Sequence, residues 1–119
     1  MAELDRLQER AMRVCELYDE LNLRTRGRVW DRADLMTGFV GDVGDLAKQV
    51  MAAEGRRDMP GGREALAHEL ADCLWSVLVL ARRYDFDLTA EFDRTMDQLE
   101  RHVGERLAAL PAQAAPPAA

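Results

Sequence analysis

The chain has 119 residues, 48% of them hydrophobic and 32% charged, with a formal net charge of −6. That suffices for one compact domain with its own core but not for two, and the negative balance argues against a nucleic-acid duplex or an anionic membrane as partner. No run of about 18 uncharged apolar residues occurs and the N-terminus is charged from Glu3 onward, so neither a membrane span nor a signal peptide is expected and the protein is expected to be cytoplasmic.

Four helices and no strand are predicted, in an all-α domain over residues 1–110. From Glu3 to Asn22 the residues Leu4, Leu7, Ala11, Val14, Tyr18 and Leu21 follow a 3-4-3-4-3 spacing, the stripe of a helix that packs lengthwise on others or forms a dimer seam. A basic linker, Leu23 to Arg28, leads to Trp30. There Asp31 can cap a second helix while Trp30 and Leu35 take the positions of a hydrophobic staple.

The second helix runs to about Ala53 with Leu35, Phe39, Val43, Leu46 and Val50 inward. At 100° per residue Asp42 lies inside this stripe and Asp45 on its flank. Gly38, Gly41 and Gly44 each cost about 1 kcal/mol against Ala in a helix interior, so a close neighbour, such as a tryptophan, is expected against that backbone. The segment Glu54 to Arg63, with Gly55, Pro60, Gly61 and Gly62, then ends the helix as an arginine-bearing loop.

The third helix, about Arg63 to Tyr84, is apolar on all sides from Leu70 to Ala81 apart from Asp72 and Ser76. Such a helix calls for burial all round, which three partners in a small monomer cannot easily supply, so a homodimer or homotetramer is expected. A fourth helix from about Leu88 to Leu110 turns Phe92, Met96, Leu99, Val103 and Leu107 inward, with Asp87 as its cap. Residues 111–119, rich in Pro and Ala, cannot form a core and read as a disordered tail. Cys15 and Cys73 both fall in apolar helical patterns without a metal-knuckle spacing and read as buried reduced thiols.

Chemistry concentrates in two acidic doublets, Asp42-x-x-Asp45 and Glu69-x-x-Asp72, separated by the 23 residues from Leu46 to His68. Carboxylates at i and i+3 share a helix face. Two such helices packed antiparallel would gather four carboxylates, and so dense a like charge calls for a cation or a bound proton. Oxygen ligands of this kind suit Mg²⁺ or Mn²⁺. Pairing of the acids with Arg13, Arg82 or Arg83 is the structural alternative. His68 points about 100° away from Glu69 and is the weaker ligand candidate. Trp30 and Trp75 serve either the core or stacking on a base.

The strings Gly41-Asp42-Val43-Gly44-Asp45-Leu46-Ala47-Lys48 and His68-Glu69-Leu70-Ala71-Asp72-Cys73-Leu74-Trp75 resemble the two metal-binding motifs of the MazG-type all-α nucleoside triphosphate pyrophosphohydrolases. The resemblance covers about residues 31 to 108. It implies a four-helix bundle-like protomer in a dimer or tetramer that uses Mg²⁺ or Mn²⁺ to cleave a nucleoside triphosphate between the α and β phosphates, releasing NMP and pyrophosphate. By the same resemblance Asp42, Asp45, Glu69 and Asp72 are the metal-binding and catalytic residues. Arg56, Arg57, Arg63 and Arg94 are the candidates for substrate phosphates. The chain departs from the family pattern Glu-Glu-x-x-Glu, carrying Gly41 where the first Glu stands and the shorter Asp42 and Asp45 at the others. Thr95 and Leu99 stand where many relatives have a Lys and an Asn, leaving Arg94 and Arg101 as the nearby cations. These departures define the alternative: a catalytically degenerate helical oligomer serving as a nucleotide or metal sensor or an interaction scaffold.

Overall fold

In a computed structural model, which describes residues 2–112, the chain forms four helices: α1 (Glu3–Arg26), α2 (Arg32–Ala53), α3 (Gly62–Arg83) and α4 (Leu88–Ala108). There is no strand among the described residues, so the all-α expectation holds. The proposed tail beyond Ala112 lies outside the described residues. The chain divides into two compact units, one ending at Phe86 and one beginning at Asp87, and each is described by itself.

In the first unit α3 is the central element, with α2 packed along it and α1 against it. Helix α1 runs one turn further than its apolar stripe predicts. Leu23 to Arg26, expected to be linker, stay helical. Gly27 then closes the helix in the left-handed region at φ 74°, its N–H on the carbonyl of Leu23 at 3.1 Å. Arg24 and Arg26 in the last turn complement the helix dipole, and Arg24 also pairs with Glu20 at 2.6 Å.

The face that α1 buries also differs from the predicted one. Gln8, Ala11, Cys15 and Asn22 are buried, whereas Val14, Tyr18 and Leu21 are 41%, 41% and 54% exposed. Small Ala11 and Cys15 let the α1 and α3 backbones approach, and polar side chains then clasp the pair. Gln8 Nε2 donates to the Leu78 carbonyl at 3.0 Å and Trp75 Nε1 to the Ala11 carbonyl at 3.1 Å. Arg82 donates to Gln8 Oε1, while Arg83 reaches Asp19 and Cys15 Sγ, both at 3.4 Å. The Gln8 amide is satisfied in this way, whereas the buried Asn22 Nδ2 has no partner among the described residues, and a hydrophobic stripe alone carries no information about such partners.

Asp31 caps α2 as expected. Its carboxylate accepts from the Asp34 N–H at 2.8 Å and the Asp34 carboxylate accepts from the Asp31 N–H at 3.1 Å, a reciprocal capping box. That backbone bond first, with the Arg28 guanidinium adding to it, holds the Asp34 carboxyl below its ordinary range. Leu35 is buried and Phe39 and Leu46 half-buried, but Val43 and Val50 of the predicted inward stripe are 45% and 44% exposed. The close neighbour expected at Gly38, Gly41 and Gly44 is not there: a Cβ at any of them would meet nothing within 4 Å.

Helix α3 begins after Gly61, whose φ of 101° and the approach of an added Cβ to Ala65 Cβ at 2.6 Å both require glycine. Its Ser76, Leu78, Val79 and Ala81 are buried, and Leu70 and Leu74, one turn apart, are 55% and 44% exposed. The second unit is built on α4, capped by Asp87 through the Ala90 N–H at 3.1 Å. It buries no residue, and its stripe of Phe92, Leu99, Val103 and Leu107 is exposed. No helix among the described residues is long and apolar enough to cross a membrane.

Candidate metal and nucleotide site

The α2–α3 pair sets two acidic turns beside each other at the wall of a cavity of about 530 Å³. Asp42 from α2 and His68, Asp72 and Ser76 from α3 line one part of it. Tyr18, Trp30 and Trp75 line another. The rings form a connected cluster, with Tyr18 centred 5.2 Å from Trp30 and 5.9 Å from Trp75, edge-on to the latter. Trp75 is held by its bond to Ala11, so this wall is fixed by the α1–α3 contact. The two tryptophans therefore do not divide between core and cavity: both are half-buried and both reach the cavity.

Asp42 is half-buried, and its Oδ2 accepts from the buried Ser76 hydroxyl at 3.4 Å, a long bond. Burial first, then the charge of Asp72, push the Asp42 carboxyl above the ordinary carboxylate range; Asp45 adds to this, while the Ser76 bond and His68 oppose it. Across from it, His68 Nε2 lies 3.1 Å from Asp72 Oδ2. His68, Glu69 and Asp72 each offer a ligand atom, and the three atoms all lie within 4.8 Å of one another. The Cys73 thiol, pushed up by burial and then by Asp42, Asp72 and Glu69 in that order, senses the same concentration of negative charge.

No arginine among the described residues forms an ion pair with Asp72: Arg82 bonds Gln8 and Arg83 bonds Asp19 and Cys15. The alternative of acid–arginine pairing therefore has no partner at this residue. A half-buried carboxylate raised by burial and then by Asp72, in one cavity with Asp72 and His68 and with no arginine paired to Asp72 among the described residues, fits a divalent metal ion.

The other predicted residues are dispersed. Asp45 is 57% exposed at its side chain, lies 4.0 Å from Lys48 Nζ, and is not on the cavity wall. Arg57 and Arg63 line a second cavity, of about 580 Å³, together with Gln49, Asp58, Met59 and Pro60 at the α2–α3 loop. Arg56 is exposed and absent from that wall. Arg94, on α4, pairs with Glu91 one turn away.

His68 is the residue that sequence reasoning undervalued. Its direction was measured against Glu69, one residue on, whereas the informative neighbour is Asp72. Four residues on, the offset is only about 40° at 100° per residue, so His68, Asp72 and Ser76 share a stripe. Tyr18, predicted as packing, was likewise missed as a wall of the cavity.

The sequence model of the MazG nucleotide pyrophosphohydrolase domain matches residues 32–105, which include both acidic doublets and helices α2 and α3 entire. A search of curated proteins returned no match, and a search of solved structures returned none. With more than half its length in that match, the chain belongs to the MazG nucleotide pyrophosphohydrolase domain family.

Proposed function

We propose that the protein is a metal-dependent pyrophosphohydrolase that cleaves a ribo- or deoxyribonucleoside triphosphate between its α and β phosphates to give NMP and pyrophosphate. The observation that carries this reading is the shared cavity, lined both by Asp42, His68 and Asp72 and by Tyr18, Trp30 and Trp75. A nucleotide presents the same two chemistries, phosphates that need cationic charge and a base with a π face. Asp42, Glu69 and Asp72 would hold Mg²⁺ or Mn²⁺, and Asp45 would join them by a change of rotamer away from Lys48. When bound there, such an ion neutralises charge on the phosphate oxygens and makes a coordinated water a better nucleophile at neutral pH. The residues of the chain do the positioning: Ser76 fixes one Asp42 oxygen, Trp75 holds the aromatic wall, and the half-buried setting limits competing water. Arg57 and Arg63 line a separate cavity at the α2–α3 loop and would reach only distal phosphates of a nucleotide extended from the metal site. Arg56 and Arg94 would need to turn toward the substrate.

The degenerate reading, a nucleotide or metal sensor or interaction scaffold without turnover, draws on Gly41 standing where the family has its first Glu and on the exposed Asp45. The test is a panel of NTPs and dNTPs with Mg²⁺ or Mn²⁺, with products resolved by chromatography. Equimolar NMP and pyrophosphate are expected. NDP and inorganic phosphate would overturn the bond assignment, and binding without turnover would select the sensor.

Assembly into a homodimer or tetramer belongs to the same proposal. Its support is the set of large apolar side chains left exposed on every helix, among them Leu17, Val40, Leu70 and Leu74.

A further inference from the structure

The two acidic doublets do not contribute equally. On α3, His68, Glu69 and Asp72 already bring three ligand atoms within 4.8 Å of one another. Two ligands bound at about 2.1–2.2 Å to one ion stand at most about 4.4 Å apart, so a small side-chain rotation would let all three share an ion. On α2, Asp45 points to Lys48, and Asp42 is held back at Ser76. The oxygen set is thus thin on the α2 side, and an imidazole stands on the α3 side within reach.

We infer that His68 is a direct ligand of the divalent ion, giving a mixed nitrogen and oxygen centre that selects Mn²⁺ over Mg²⁺. This rests on the metal site proposed above. The side chain is free to do it: His68 is 69% exposed on the cavity rim, and its contact is with Asp72, itself one of the proposed ligands. An ion entering between them would meet ligand atoms already 3.1 Å apart. Mg²⁺ is hard, demands near-ideal octahedral oxygen geometry and keeps its waters, whereas Mn²⁺, although it too favours oxygen and is the weakest binder of the first-row series, is less exacting and accepts an imidazole beside carboxylates.

The chain has two histidines, His68 and His102, which makes the assignment readable by spectroscopy. The full-length protein is titrated with Mn²⁺ and followed by electron paramagnetic resonance, with Mg²⁺ as competitor, and the bound ion is examined by electron spin echo for imidazole nitrogen. Nitrogen coupling is expected in the parent and in His102→Gln and absent in His68→Gln, with Mn²⁺ bound at least about tenfold more weakly in His68→Gln, since even outer-shell partners carry tenfold or more. Mg²⁺ affinity should change by less than about threefold, an ion that takes little from imidazole. Mn²⁺ binding that depends on Glu69 but shows no His68-dependent nitrogen coupling would overturn this inference and leave the metal site standing. Absence of any Mn²⁺ binding at millimolar concentration would overturn both.

Discussion

Replacing Asp72 by Asn separates metal coordination from structural pairing, and its size follows from the geometry. In the metal-free protein Asp72 is 40% exposed and its ion-pair partner is His68 at 3.1 Å. Losing an exposed pair of this kind costs about 0.2–1 kcal/mol. Removing one of two neighbouring carboxylates returns about 1 kcal/mol of relieved repulsion near solvent. The two nearly cancel, so in EDTA the variant should unfold within about 1 kcal/mol of the parent. With Mn²⁺ at 100-fold above its dissociation constant the parent gains about 2.7 kcal/mol by mass action. For a domain of this size that is a rise in melting temperature of roughly 10 °C or more. Asp72→Asn should lose most of that rise. Calorimetry of both proteins in EDTA and in Mn²⁺ gives all four values. A loss of about 3–5 kcal/mol in EDTA would refute the reasoning, because only a charge partner stranded in a buried setting costs so much.

Asp42 gives a pH signature of opposite sign to an ordinary salt-bridged acid. Its carboxyl is raised in the folded state by burial and then by Asp72, so its contribution is fully present below the unfolded value and is lost as pH rises through the folded one. Between pH about 4 and 7 the parent in EDTA should lose stability relative to Asp42→Asn, and a gap that stays constant would contradict the raised carboxyl. Gly41→Ala should stabilise the metal-free protein by about 0.5–1 kcal/mol, because an added Cβ meets nothing within 4 Å; a net loss in urea denaturation would mean that another surface covers this face. Sedimentation velocity at micromolar concentration should show a dimer or larger species, and a folded monomer would remove the assembly claim.

The helices were legible because their signals are local. Asp31 and Asp87 mark starts, the glycines and proline between Glu54 and Arg63 mark an end, and apolar residues at 3- and 4-residue intervals mark the bodies. Of the candidate site, Asp42, Glu69 and Asp72 stood out as well, since each is a carboxylate within an apolar pattern, whereas Trp75 was left between core and stacking. What was not legible depends on partners distant in sequence. Gln8 is buried because Leu78, 70 residues on, offers a carbonyl, and with that clasp Val14 and Tyr18 stand partly exposed at the cavity and not in the core. The glycines of α2 suggested a close contact because their cost is intrinsic to the helix, but nothing in the sequence says whether space beside them is filled. Asp45 illustrates the same limit: its spacing from Asp42 is right for a shared face, yet Lys48, three residues on, competes for its carboxylate.

The central claim is that the acids of α3 sustain pyrophosphate release from a nucleoside triphosphate. Its most direct measurement is the Mn²⁺-dependent rate of pyrophosphate formation by the parent and by Glu69→Gln, with both proteins shown to melt alike in EDTA. Turnover is expected in the parent with a loss of at least about a hundredfold in the variant, the scale of removing one group that stabilises transition-state charge. Equal rates in the two proteins would contradict it.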